Sequence, residues 1–238
     1  MPSCASAFRL ADLLVTGTDT GIGKTVVAAA LVLALRHRGI RAVGFKPVET
    51  GIDPGEVADS EVLRQASGVH EPLAEPLLRL PDPLAPAVAS ERAGRPLDAT
   101  AVEVRLRSLR EAGYTVVVEG AGGVLVPLAW DYTAADLASR QGLSAVVVAR
   151  AGLGTLNHVM LTAEALQARG IGLRGVVLNG RHDPPDLAEQ TNPAALTRLL
   201  ASCRLVVLPR RDRSATLALA REFAPSMTTI VEDLLERR

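Results

Sequence analysis

Gly23-Lys24-Thr25 follows a loop rich in glycine and threonine, which itself follows a short apolar run, Leu13-Leu14-Val15. Strand, loop, then a helix opened by Gly-Lys-Thr is the context that a phosphate-binding loop requires. Consecutive backbone N–H groups in such a loop make a concave anion site, and the helix N-terminus adds its positive dipole end. Lys24 can reach outer phosphates, and the Thr25 hydroxyl can ligate the divalent cation that accompanies them. Five residues separate Gly17 from Gly23, one more than the commonest pattern allows. The alternative, a glycine-rich turn with a chance Gly-Lys-Thr, does not account for the strand before it and the helix after it.

Two other charged residues stand at strand ends. Glu119 closes the run Val-Val-Val-Glu-Gly and is followed by Ala121-Gly122-Gly123. A carboxylate there, beside a phosphate loop, can hold magnesium directly or through water. Lys46 ends a second apolar run, with Pro47 fixing the turn after it. Its ammonium could neutralise charge developing on a transferred group, or it could be an ordinary lysine at a strand end; the residues alone leave this open. Asp59, in Val-Ala-Asp-Ser-Glu-Val-Leu, sits in the first turn of a short helix, where a carboxylate often serves only the dipole.

The elements that must position these groups alternate regularly. Strands are expected at Leu13–Val15, Arg41–Lys46, Tyr114–Glu119, Ala145–Arg150, Leu173–Asn179 and Leu205–Leu208. Helices are expected after the phosphate loop to Gly39, at Glu56–Ala66, from Asp98 or Thr100 to Gly113, at Thr155–Arg169, from Asn192-Pro193 through Leu200, near Ser214–Phe223, and at Thr228–Arg238. Strands of near-continuous Val, Leu and Ala alternating with helices imply a doubly wound α/β domain. Its sheet would be mostly parallel, with about seven strands and helices on both faces. Ligands bind such sheets outside the carboxyl ends of the strands, where Thr16-Gly17, Lys46, Glu119, Gly152, Asn179 and Pro209 gather. Between Ile52 and Pro96 the pattern breaks: seven of the fifteen prolines fall here. An irregular stretch of that length inside one domain reads as a wall of the active site. Residues 1–11 read as a loose tail, and residues 12–238 as one domain.

Composition excludes several function classes. Twenty-six basic residues balance twenty-six acidic ones and aromatics are 3%, so neither a basic stripe nor a stacking platform for nucleic acid is expected. Cys4 and Cys203 make no disulfide framework. The start of the chain lacks a charged region followed by an apolar one, and no apolar run approaches membrane-spanning length. With mean hydropathy +0.22, the expectation is a soluble cytoplasmic protein with no membrane partner.

Taken in order, four blocks resemble the dethiobiotin synthetase family: Gly17-Thr18-Asp19-Thr20 with Gly23-Lys24-Thr25; Lys46-Pro47-Val48 with Thr50-Gly51; Glu119-Gly120-Ala121-Gly122-Gly123; and Asn157-His158 with Leu161-Thr162. The resemblance runs from Leu13 to about Pro209. It implies a P-loop NTPase-like fold that closes the ureido ring of dethiobiotin from 7,8-diaminopelargonate, carbon dioxide and ATP, with Mg2+, in biotin biosynthesis. The substrate's own carbamate is the nucleophile, which suits a chain with no Ser-His-Asp or Cys-His constellation. Carried over by motif, Lys24, Lys46 and Thr20 are the catalytic groups. Gly21, Ile22, Gly23, Lys24, Thr25 and Val26 cradle the nucleotide phosphates, with Glu119, Gly120, Ala121 and Gly122 beside them. Asn179, Leu208, Pro209 and Arg210 resemble the adenine site, while Thr20, Lys46, Thr50, Gly123 and Asn157 resemble substrate contacts. Thr25, Asp59 and Glu119 match the magnesium set. The family's homodimer, in which Asn157 reaches the neighbour's substrate, is implied with them. Glu49, at a position often small or amide-bearing, would add negative charge near the substrate.

Two other classes fit parts of the pattern. A switch ATPase of the partitioning or division-site type shares the expected fold, but it carries a lysine early in the loop where this chain has Asp19. A corrinoid amide-forming ligase would bring a glutamine-hydrolysing cysteine, and neither Cys4 nor Cys203 lies in a suitable strand-turn-helix.

Overall fold

Each Val/Leu/Ala run forms a strand whose successive side chains pass into opposite apolar layers, as the period-two geometry of a strand demands. The computed structural model describes residues 10–52, 55, 57–212 and 216–236. In chain order the elements are β1 Leu13–Gly17, α1 Lys24–His37, β2 Ala42–Phe45, β3 Val48–Thr50, α2 Asp59–Ser67, β4 Leu78–Leu80, α3 Pro86–Arg92, α4 Ala99–Glu111, β5 Thr115–Gly123, β6 Pro127–Ala129, β7 Tyr132–Thr133, α5 Ala134–Gln141, β8 Ser144–Arg150, α6 Thr155–Gln167, β9 Leu173–Arg181, α7 Leu187–Leu199, β10 Arg204–Pro209, α8 Thr216–Phe223 and α9 Thr228–Glu236. Six strands form the central sheet in the order β10-β9-β8-β1-β5-β2, all pairs parallel. That is close to the seven expected.

On one face Leu13, Val15, Val117, Val146 and Val148 pack under α1, α2, α8 and α9. On the other, Leu14, Val116, Val118, Val147 and Leu178 pack against α4, α5, α6 and α7. From β1 the chain crosses to edge strand β2 on one side and returns through β5, while β8, β9 and β10 fill the other side, so the strand feeding the Gly-Lys-Thr loop lies at the switch point where such sheets bind ligands.

Several boundaries differ from the sequence expectation. Leu10, read as part of a loose tail, is buried in the α1-side core; residues 1–9 of that tail lie outside the described residues, as do Glu56, Ser214 and the last two residues of the C-terminal helix. The helix expected to start at Asn192-Pro193 starts instead at Asp186, where Asp186 and Glu189 form a reciprocal capping box. That pair satisfies two orphan N–H groups and sets the start, leaving Pro193 inside the helix. Another capping box, Thr133 with Asp136, opens the unanticipated α5. The proline-rich stretch also holds more structure than a loop. β3 and β4 pair in parallel, with Glu49 opposite Arg79, and α3 follows with Pro86 in its first turn.

Asp12, just before β1, ties three elements together. Its carboxylate accepts from the Val116 N–H at 2.7 Å and from Arg110 Nε at 2.6 Å, and its carbonyl accepts from the Ser144 N–H at 3.0 Å. Asp12→Ala would leave Arg110 Nε, on a largely buried side chain whose other nitrogens donate to Gln141, and a buried Val116 N–H without their acceptor. It is expected to lower unfolding stability by about 3 kcal/mol, read as a lower urea midpoint with unchanged m-value.

Candidate active site

A cavity of about 1550 Å³ opens at the carboxyl ends of the central strands. The loop after β1 reaches it because Gly17 and Gly23 are glycines. A Cβ on Gly17 would lie 2.6 Å from Ile22 Cδ1 and 2.9 Å from the Asp19 carbonyl. Gly23 has φ +94°, and a Cβ there would lie 2.3 Å from Asn179 Nδ2. Asn179, near the end of β9, uses that amide to donate to the Ile22 carbonyl at 2.8 Å, so β9 braces the loop from outside. Lys24 is buried and its Nζ donates to the Asp19 carbonyl at 2.9 Å. Burial pushes its pKa down, and the Lys46 charge adds to this against the pull of Glu119.

Behind the loop lies a charge cluster. Lys46 Nζ donates to Glu119 Oε1 at 2.7 Å and makes a short contact with Asp59 Oδ2. Lys46 is 7% exposed and Glu119 1%. Burial alone would push Lys46 down, but the two carboxylates outweigh it and hold its pKa above the ordinary lysine value. Asp59 is held below its usual range against burial, chiefly by the Lys46 charge. Thr25 Oγ1 lies 2.8 Å from Asp59 Oδ1 and 2.9 Å from Glu119 Oε1.

Glu119 Oε2 is buried without a hydrogen-bond partner among the described residues. An orphaned carboxylate oxygen beside a threonine hydroxyl and a second carboxylate is a hard donor set of the kind magnesium takes when phosphates supply the rest. Among the described residues there is no group of three or more His, Cys, Asp or Glu that could hold a metal ion.

The cavity gathers most of the residues expected from the sequence: Thr20 to Val26, Lys46, Thr50, Asp59, Glu119, Ala121, Gly122, Asn179, Pro209 and Arg210. Gly120 and Gly123 lie within β5 and do not line it, and Leu208 is fully buried in the α1-side core. Asn157 is exposed on the third residue of α6, away from this cavity. Glu49 does not line the cavity: its oxygens take the Ser60 N–H at 2.7 Å and the Ser60 hydroxyl at 2.8 Å.

Some residues at the rim were not anticipated. Arg150, at the end of β8, contacts Asp19. His182 Nδ1 lies 2.6 Å from Glu189 Oε1, and Arg210 contacts its other ring nitrogen. Buried Asn192 donates from Nδ2 to the Ala151 and Gly152 carbonyls at 2.8 and 3.1 Å, fixing the loop that enters α6. The spacing Asp186-x-x-Glu189 was the available signal for α7, and with it for Asn192 as an interior residue.

Lys46→Ala would strand Glu119 in a site where burial already pushes its pKa up, with the Lys46 charge the main opposing influence. A carboxyl with a raised folded-state pKa loses stability as pH climbs above its unfolded value. The variant is therefore expected to lose about 3 kcal/mol or more at pH 7 and less at about pH 4.5. Chemical unfolding at the two pH values reads the difference; an equal loss at both would show that Glu119 is not the stranded group.

The family model described as an AAA domain matches residues 11–216. A curated relative from Anaeromyxobacter sp. (strain K), named ATP-dependent dethiobiotin synthetase BioD, is 48% identical over 209 residues, 85% of this chain and 94% of that one. Relatives of the same name from Rhodococcus jostii and Mycobacterium tuberculosis are 46% and 48% identical, covering 76% and 79% of this chain and 78% and 82% of theirs. Among solved structures, apo McdA of Cyanothece matches with TM-score 0.54 at 13% identity, covering 96% of this chain and 99% of that one. The MinC:MinD cell division protein complex of Aquifex aeolicus matches with TM-score 0.54 at 14% identity, covering 95% and 94%. At such identities these structures share the fold alone. Sequence similarity across most of the chain separates the ligase from the switch ATPase reading: the chain belongs to the ATP-dependent dethiobiotin synthetases, ligases that form carbon–nitrogen bonds.

Proposed function

We propose that this site joins carbon dioxide to 7,8-diaminopelargonate and closes the ureido ring of dethiobiotin at the expense of ATP, in the cytoplasm. The observation that carries this reading is the Lys46 ammonium set between Asp59 and Glu119 beside Lys24. Two cations and a row of free N–H groups converge where a carbamate and a triphosphate would meet.

One amine of the substrate adds to carbon dioxide and loses a proton, giving a carbamate. A carbamate oxygen attacks the γ-phosphorus, ADP departs, and a carbamic-phosphoric anhydride forms. The second amine then attacks the carbonyl carbon, phosphate leaves, and the lost proton completes the ring. Lys46 is placed to neutralise the carbamate and Lys24 the transferring phosphoryl group, each through a preorganised ammonium. Thr20 and Thr50 line the same cavity beside them and are assigned to the substrate's reacting end. Residues 21–26 bind phosphates through backbone N–H groups and the N-terminus of α1. Asn179, Pro209 and Arg210 lie on the side of the cavity assigned to the base. Thr25, Asp59 and Glu119 would hold Mg2+, which when bound offsets charge on the phosphate oxygens. The protein supplies no covalent nucleophile; it positions groups and excludes water.

Phosphate release from ATP is expected to need both the diamine and bicarbonate, each omission abolishing it, with a ureido product detected by mass spectrometry. ATP hydrolysis indifferent to the diamine would overturn the reading.

The proposal includes a homodimer with shared sites. The substrate carries amines at one end and a carboxylate at the other, so its carboxylate needs an anchor well away from the phosphate loop. The loop 152–154, held by Asn192, leads into α6 with no side-chain cap at Gly154, leaving N–H groups free for a carboxylate. Asn157 is exposed nearby, and Leu153 and Leu161 are 93% and 57% exposed on the same segment, an apolar surface suited to a two-fold contact. Mixing an Asn157→Ala subunit with a Lys24→Ala subunit is expected to restore activity, because one site of the heterodimer regains both groups. No recovery despite verified mixing would rule out sharing.

A further inference from the structure

The carboxylate of Glu49 has no place in the chemistry above, yet it is 3% exposed and both of its oxygens are engaged. Oε1 accepts from the Ser60 N–H at 2.7 Å; Oε2 accepts from the Ser60 hydroxyl at 2.8 Å and from Arg79 Nε at 3.1 Å. Arg79 also donates to Ser60 Oγ at 3.3 Å and to Glu75 at 2.6 Å. Glu49 and Arg79 are register partners in the β3–β4 pair, so a two-stranded sheet places acid and base side by side and both close on one residue.

That residue is the second of α2. The N-cap position of α2 is Ala58, which offers no side-chain acceptor. The first turn of a helix has free N–H groups that a cap normally satisfies. Here the acceptor comes from another element, and its negative charge sits at the favourable end of the helix dipole. The residue immediately before Ser60 is Asp59, whose carboxylate meets Thr25 and Lys46. Asp59 opens a short helix near the start of the proline-rich wall, whereas Glu119 is carried on a central strand. Without a brace, the first turn of α2 could rotate Asp59 away from Thr25.

We propose that Glu49, seconded by Arg79, is a positioning residue that locks the first turn of α2 and so fixes Asp59 against Thr25 and Lys46, setting the affinity of the site for its divalent cation. The inference rests on the assignment of Asp59 to the magnesium set. Lys46, Glu49 and Thr50 lie within five consecutive residues, so a single turn of chain places the carbamate lysine inside the cavity and the brace behind its wall.

The test is Mn2+ binding by electron paramagnetic resonance, with a non-hydrolysable ATP analogue, on full-length protein, together with amide hydrogen exchange over residues 59–63 and thermal midpoints. Glu49→Ala is expected to weaken Mn2+ binding by about tenfold or more, the scale for losing a residue that orients a metal ligand, and to speed exchange of the first-turn amides. Glu49→Gln keeps an acceptor for the Ser60 N–H and is expected to restore most of the affinity. Mn2+ affinity in Glu49→Ala equal to that of the parent would overturn the proposal. So would equal losses in the Ala and Gln variants that follow only their thermal midpoints. Should Glu49→Ala not fold, Ser60→Ala, which removes the hydroxyl leg alone, must weaken Mn2+ binding measurably or the proposal falls. Asp59→Asn separates the two claims: unchanged Mn2+ binding there rejects the assignment of Asp59 to the metal, while faster first-turn exchange in Glu49→Ala would still establish the brace.

Discussion

A lysine that is almost wholly buried must be compensated, and here the compensation builds the site. Removing an ammonium from water costs several kcal/mol after relaxation, so Lys46 is tenable only because Asp59 and Glu119 both reach it. Those carboxylates come from a short helix within the proline-rich wall and from a central strand. A third group, Thr25, comes from the first turn of α1. Three separately folded elements therefore meet at one point of charge. The charges hold one another at distances that a phosphate ligand and its cation can take over.

The same economy governs the loop. Its backbone N–H groups can face an anion only if no Cβ intrudes, and the contacts at Gly17 and Gly23 show where one would. Asn179 converts the missing side chain of Gly23 into a contact, reaching through the space to hold the Ile22 carbonyl. Lys24 rests on the Asp19 carbonyl. Its lowered pKa reflects burial and the second cation nearby. An anion entering between Lys24 and Lys46 would relieve that repulsion, so the loop favours the ligand electrostatically as well as geometrically.

The parts of this arrangement legible in sequence were those written in consecutive residues. The loop and the alternating strands follow from short patterns, because a parallel strand buried on both faces needs a continuous apolar run; Glu119, expected at a strand end, lies within β5, which continues to Gly123. What was hidden depends on distant pairing. Nothing local separates Lys46 from a surface lysine; its carboxylate partners lie thirteen and seventy-three positions away. β3 and β4 are three residues each, too short for periodicity to register. Asn192-Pro193 imitates a helix start, and only the stronger capping box at Asp186 shows it to be interior. Glu49 reads as excess charge beside the substrate because its partner Ser60 lies eleven residues on, in a different element.

That wall separates what the fold provides from what this chain adds. McdA and the MinC:MinD complex share the fold at 13–14% identity, so the sheet alone does not single out a ligase. The choice depends on what faces the phosphate edge. Here the early loop position holds Asp19, tied to Arg150 across the rim, and the second ammonium comes from Lys46 within the same chain. The prolines suit this wall for a physical reason. Each fixes φ at its own position in a segment with few long elements, limiting the conformations it can adopt when unfolded. That lowers the entropic cost of holding Lys46, Thr50 and Asp59 in place on an otherwise irregular stretch. An irregular wall can thus hold its groups in place when its turns are fixed by proline and the helix that carries Asp59 is braced by a buried carboxylate, Glu49.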